Sequence, residues 1–207
     1  MKKYIKILIP ISTTLIPISI VSCSKKSTSF PKNYLDIKTD EEGNKFLAGF
    51  NQNHQRAYQV EDYDTLTIPK EVTYLEDQSF TPNISNEAEY DAPNAIKTIN
   101  FEKDCQCGRF GRPNFNFCQN LETVIFPPLY GGNDRYMFDK CTKLSTFDLS
   151  NITVLIHDID HDFLPPNVDF FPDNGKIIVK KNQTNVSVLA NNMFNKLKNK
   201  GWTIIEK

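Results

Sequence analysis

Five cysteines and three histidines carry most of the reactive side chains in this sequence, and their spacing limits the chemistry open to them. Cys105-Gln106-Cys107, with Cys118 and Cys141, offers four thiols to a zinc ion. Structural zinc sites use C-x₂₋₄-C pairs. One i, i+2 pair followed by two single cysteines does not supply them. A disulfide within Cys105-Gln106-Cys107 would be strained by its short loop, and the redox state of that pair is left open. The other dense cluster is His157-Asp158-Ile159-Asp160-His161-Asp162, whose ligand types suit a divalent ion. On a strand the two histidines share a side with Ile159 while the three aspartates face the other. On a helix the histidines fall together, but the glutamate of a zinc-hydrolase motif is missing. A polar turn is the simpler account. His54 stands alone. Nucleophile-elbow, phosphate-loop, dinucleotide-fingerprint and Cys/His protease patterns are all absent from the sequence. The expectation is a non-enzyme with no cofactor and no metal. An exported metal-dependent hydrolase using residues 157–162 is a remote alternative.

Cys118 and Cys141 have a better explanation in a repeated phrase. Phe115-Asn116-Phe117-Cys118-Gln119-Asn120-Leu121-Glu122-Thr123-Val124-Ile125-Phe126 recurs as Phe138-Asp139-Lys140-Cys141-Thr142-Lys143-Leu144-Ser145-Thr146-Phe147-Asp148-Leu149. Both read F-x-x-C-x-x-L-x-T-h-x-h, with h apolar. A period in the twenties is the signature of a leucine-rich repeat, in which each repeat adds one coil to a solenoid. Equal phase predicts that the two thiols are neighbours inside the stack, serving as small apolar groups. Ile96 to Phe101 and Tyr63 to Ile68 are earlier strand cores. The coil that opens with Tyr63 to Ile68 closes through Val72, Leu75 and Phe80, and residues 81–93 are expected to be a polar insertion. A degenerate coil follows through Ile152, Ile156, Ile159 and Phe163, and Lys176 to Val179 is a last strand. The expected fold is a β-rich leucine-rich repeat solenoid of about five coils, with short parallel strands stacked into one sheet.

Alternation sets the register of those strands. Leu66/Ile68, Ile99/Phe101, Val124/Phe126 and Phe147/Leu149 point inward. The outward residues then form two columns. One is Thr65, Thr98, Thr123 and Thr146, and the other is Thr67, Asn100, Ile125 and Asp148. Threonine suits a half-exposed strand and stacks well on threonine. The same columns are the candidate binding face, with Ile125 as the one apolar outward residue near its middle. The insertions at 81–93 and 102–114 are the next most exposed elements, and Cys105 and Cys107 fall in the second of them.

Both ends of the array read as caps, which such stacks need for solubility. Tyr34 to Ile37 and Lys45 to Phe50 predict a hairpin around Glu41-Glu42-Gly43-Asn44, shielding the open edge of the first coil. Val186, Leu189, Ala190, Met193, Phe194 and Leu197 follow helical spacing, with Asn185 as N-cap and Gly201 just past the end. Trp202 to Ile205 reads as a short strand.

The chain start follows a different logic. Lys2, Lys3 and Lys6 precede an apolar run, residues 7–21, interrupted by Pro10 and Pro17. The run is short for a membrane span and is flanked like an export signal. Ile20-Val21-Ser22-Cys23 resembles a bacterial lipobox, which implies cleavage after Ser22 and a diacylglyceryl group on Cys23. Domain boundaries follow: residues 1–22 a lipoprotein signal peptide, 23–33 a polar tether, 34–175 the repeats and 176–207 a strand-helix-strand cap. No later run approaches the length of a second span.

Charge is unevenly distributed. The net is −1, and without the three lysines of residues 1–22 it is −4. Residues 176–207 hold seven lysines and one glutamate, which leaves −10 for residues 23–175. A basic end of this kind is the solvated face of a helix or a contact for an anionic surface. Aromatics are not interleaved with it, so no nucleic-acid partner is expected.

The F-x-x-C-x-x-L-x-x-h-x-h phrase, Leu66-Thr67-Ile68-Pro69, Phe126-Pro127 and the closing Gly201-Trp202-Thr203-Ile204-Ile205 together resemble the BspA-like leucine-rich repeat surface proteins. The resemblance covers residues 34–207 and is best over 96–150. Asn114-Phe115 and Met137-Phe138 depart from the usual small residue before Phe, and the insertions at 81–93 and 102–114 lengthen two coils. The resemblance implies display on the extracellular face of the cell membrane, contact with extracellular or host proteins, adhesion in some members, and no catalytic residues. The alternative is a structural or antigenic surface lipoprotein without a specific ligand.

Overall fold

Short runs of β-branched and aromatic residues, each closed by a polar or proline-bearing turn, dictate strands of two to six residues here. The computed structural model describes residues 27–82, 91–111, 113–131, 136–155, 164–165 and 167–207. Its first two strands, β1 (Leu35–Thr39) and β2 (Lys45–Phe50), form an antiparallel hairpin around the predicted turn. Alternating through the next stretch are β3 (Thr65–Ile68), β4 (Tyr74–Leu75), β5 (Thr98–Phe101), β6 (Arg109–Phe110), β7 (Thr123–Ile125), β8 (Leu129–Tyr130), β9 (Thr146–Asp148) and β10 (Val154–Leu155). The chain finishes with β11 (Lys176–Val179), helix α1 (Thr184–Leu197) and β12 (Thr203–Glu206).

The odd-numbered strands from β3 to β11, together with β12, build one six-stranded sheet in the order β12-β11-β9-β7-β5-β3. Every neighbouring pair in it is parallel. A second layer of strands runs β1-β2-β4-β6, and β8 pairs in parallel with β10 beyond it. Parallel neighbours need a crossover between them, and here each crossover is a strand of the other layer or, between β11 and β12, α1.

A turn repeats before the strands of the large sheet. The N–H of Val60, Cys118, Cys141, Phe171 and Gly201 each donates to the carbonyl three residues back, and Tyr63, Ile96, Leu121 and Leu144 do the same one turn later. This is the physical meaning of F-x-x-C-x-x-L: tight turns carry the chain inward and release it into a strand. Phe117 and Lys140, each just before a cysteine, take left-handed backbone at φ 63° and 59°. The two copies of the phrase thus share one left-handed turn residue at the same place.

Inward side chains of both layers make one apolar core. Its spine is aromatic. Phe80 stacks on Phe115 at 5.4 Å, Phe115 on Phe138 at 6.1 Å, and Phe138 meets Phe147 edge-on at 5.8 Å. Trp202 and Phe171 close the far end against Phe147. Each such pair adds about 0.5–1.5 kcal/mol beyond its area burial.

Several expectations need correction. The hairpin does meet the edge of the segment Tyr63 to Phe80, expected as the first coil, but at β4 and not at β3. β2 pairs with β4, so the hairpin extends the other layer, because its inward Leu47 and Phe50 match that core. The edge of β3 is met instead by residues 28–30: Ser29 bridges Thr65, Phe30 N–H donates to the Thr65 carbonyl, and Phe30 is buried. The helix starts one residue before Asn185, with Gln183 at the cap position. Asp91 to Pro93 is not a loose polar loop, since Ala92–Ala95 is a 3-10 turn with Ala92, Pro93 and Asn94 buried. Nor is 102–114 an exposed insertion. It contains β6, and Cys105, Cys107, Phe110 and Asn114 are all buried. The small, weakly polar thiol explains this: it fills core space at little desolvation cost. Residues 83–90 and the continuation through Ile156, Ile159 and Phe163 lie outside the described residues.

Candidate binding face

Strand alternation directs every second residue of the large sheet away from the core, and parallel pairing aligns those residues across strands. Thr65, Thr98, Thr123 and Thr146 are register partners in succession, continued by Lys176 and Thr203. Thr67 pairs with Asn100 in the neighbouring column. Further along that column Ile125 pairs with Asp148, Asp148 with Ile178, and Ile178 with Ile205. All eight outward residues named by alternation therefore share one face of one sheet.

Their accessibility differs from the expectation. Thr65 and Asp148 are buried, while Thr98, Thr123, Thr146, Thr67, Asn100 and Ile125 are half-buried. Ile125 is not the one apolar outward residue. Ile178 is half-buried in its column, and Ile205 is exposed on the edge strand. Between Ile125 and Ile178, the Asp148 carboxylate accepts from Lys207 Nζ at 2.7 Å and from the Ser150 hydroxyl at 2.5 Å and N–H at 3.0 Å. Burial alone would raise the Asp148 carboxyl, but the lysine and serine donors outweigh it and hold it below the usual carboxylate range. That pair could not be foreseen, because the partners stand 59 positions apart.

The N-terminal edge continues both columns with hydroxyls. Ser27 Oγ lies 2.5 Å from Thr65 Oγ1 and donates to Asp64 Oδ1 at 2.9 Å. Ser29 Oγ lies 3.1 Å from Thr67 Oγ1. These serines fall in the stretch expected to be a polar tether, where no periodic pattern marks them.

The four described cysteines are free thiols in the core. Cys118 Sγ donates to the Phe80 carbonyl at 3.3 Å, and Cys141 Sγ to the Phe115 carbonyl at 3.0 Å. Each thiol thus reaches the backbone of the preceding segment at the same place in the repeated phrase. Cys105 Sγ contacts the Pro69 carbonyl at 3.5 Å. Burial pushes the thiols up, Cys105 to about 11 and the other three further. Among the described residues no group of three or more His, Cys, Asp or Glu is arranged to hold a metal ion. His54 stacks on Tyr34 at 3.5 Å and its Nδ1 lies 2.8 Å from Asn51 Oδ1, which gives it a packing role. His157 to Asp162, and Cys23 with its lipobox, lie outside the described residues. No described helix is long and apolar enough to cross a membrane.

A groove of 580 Å³ on the other layer is lined by Asp40, Glu42, Asn44, Tyr74, Glu76, Asp77 and Arg109. Asp40 accepts there from the N–H of Asn44 and of Glu42, the Asn44 amide and the Tyr74 hydroxyl. Those donors overcome burial and lower its carboxyl. Its acceptor capacity is spent on the hairpin turn, so the groove is a by-product of that turn.

The chain matches no protein-family model, no curated protein and no solved structure.

Proposed function

We propose that this is a lipid-anchored, cell-surface repeat protein that contacts an extracellular protein, in the manner of the BspA-like leucine-rich repeat proteins, through the outward face of its six-stranded sheet. In this reading the chain is a solenoid of about five strand-turn-strand coils, two of which carry F-x-x-C-x-x-L. Cys23 carries the diacylglyceryl group. The observation that carries the proposal is the face itself: register-matched columns of Thr, Asn and Ile side chains run across six strands. A long polar face with scattered apolar anchors suits a protein partner, since interface energy concentrates in a few anchors ringed by near-neutral contacts. Ile125 and Ile178 are the anchors this face offers.

The test is binding of the purified chain to a panel of matrix and cell-surface proteins, repeated with Ile125→Arg. Saturable binding weakened at least tenfold by the substitution supports the face, about 1.4 kcal/mol or more. Binding unchanged by it removes the face. Failure across the panel favours a structural or antigenic surface lipoprotein.

A further inference from the structure

Residues 27–30 do not hang free of the domain. Asp64 and Thr65 both donate their N–H to the Thr28 carbonyl, at 3.0 and 3.2 Å, and Thr28 N–H donates to Asp64 Oδ1 at 3.0 Å. Phe30 N–H returns to the Thr65 carbonyl at 2.9 Å. Phe30 then buries its ring against Phe50 at 5.1 Å and Tyr63 at 5.9 Å. The segment is fixed by backbone pairing and by a core aromatic, so it behaves as part of the sheet edge. From Ser27 back to Cys23 there are only four steps of chain, which reach at most about 14 Å when extended.

We propose that this docked segment sets the orientation of the protein on its membrane, with the N-terminal end of the stack, comprising β1 and residues 27–30, facing the lipid headgroups and β12 presented away from them. The proposal rests on lipidation of Cys23. β1 and β3 are the outermost strands of their layers at the same end, since β2 joins β4 while β3 starts the large sheet. β12 lies five strand spacings from β3, about 24 Å further out. The alternative posture lays the large sheet on the bilayer. Ile125, Ile178 and Ile205 are the apolar members of that face, set among threonines, Asn100, Asp148 and Lys176, so it offers lipid little continuous apolar area and would lose the water that hydrates its polar groups. Standing on its end, the domain keeps that face and the lysine-rich last segment open to other molecules.

The experiment uses the lipidated chain in phosphatidylcholine vesicles carrying a fluorescent acceptor on the lipid headgroup. Trp202 is the only tryptophan in the protein and sits beside β12, so it reports the far end. Lys38→Trp, on half-exposed β1, adds a donor at the near end. Energy transfer from the added indole should exceed that from Trp202 by at least about threefold, because transfer falls steeply over a separation of this size. A long Gly-Ser insert after Lys26 should erase the difference. Equal transfer from the two positions, or no response to the insert, overturns the orientation while fatty-acid labelling of Cys23 still stands. Absence of fatty-acid label overturns the anchor, and the orientation with it.

Discussion

At the residue scale the buried thiols make the firmest predictions. Cys118 and Cys141 are fully buried, and each donates to a carbonyl of the preceding segment. Replacing either with Asp places an unpaired carboxylate in the core and should cost about 4 kcal/mol, read as the shift of a denaturant midpoint. Ser at the same place keeps the donor, and the loss should be smaller. In the native protein all four described thiols should react slowly with a thiol reagent at neutral pH, since burial suppresses the thiolate. Rapid labelling of Cys118 or Cys141 would contradict their place in the core. The Asp148–Lys207 pair gives a pH signature. A carboxyl held below its unfolded value contributes stability above the unfolded pKa, about 4, and loses it as pH falls through the lower folded value. Asp148→Asn should therefore destabilise at pH 7 and flatten the acid limb of the stability curve. Lys207 is more than half exposed, which limits the cost to about 1 kcal/mol.

At the scale of elements, the close of the large sheet depends on two glycines. A Cβ on Gly175 would come within 2.3 Å of the Trp202 ring, which is wedged against Phe147 and Phe171. Gly201 holds φ at 74°, and a Cβ there would meet Asn174 Oδ1 at 2.5 Å. Gly175→Ala should cost about 2–3 kcal/mol through overpacking, and Gly201→Ala about 1 kcal/mol through backbone strain. Both should show as a lower Tm with altered tryptophan fluorescence. An unchanged spectrum in Gly175→Ala would mean that Trp202 does not pack there. Ile125→Arg makes the opposite prediction for stability, because its half-buried side chain lies on the outward face. Its Tm should stay within a few degrees of the parent.

At the scale of the whole molecule, export and anchoring can be tested apart from the fold. Cys23→Ser should abolish fatty-acid incorporation and move the protein from the detergent phase to the aqueous phase. Two acyl chains hold a domain firmly on a membrane, and no described helix is long and apolar enough to cross one in their place. A variant that still takes up fatty acid would move the lipid to another residue or refute the lipobox. The circular dichroism spectrum of the isolated domain should match that of the parent, since residue 23 precedes the segment that pairs with β3.

The repeated phrase determined a good deal by itself. Alternation in Thr98-Ile99-Asn100-Phe101 and its counterparts assigned inward and outward residues, because a strand has a period of two and a core admits one face. Equal phase put Cys118 and Cys141 at the same depth, and helical spacing found α1. Only the tertiary structure decided what no local pattern encodes. It paired the hairpin with β4, set residues 28–30 on the open edge of β3, and drew Cys105 and Cys107 into the core. It also carried Lys207 across to Asp148. These are contacts between segments tens of residues apart, chosen by which apolar surfaces and unpaired backbone edges remained to be covered once the local elements had formed.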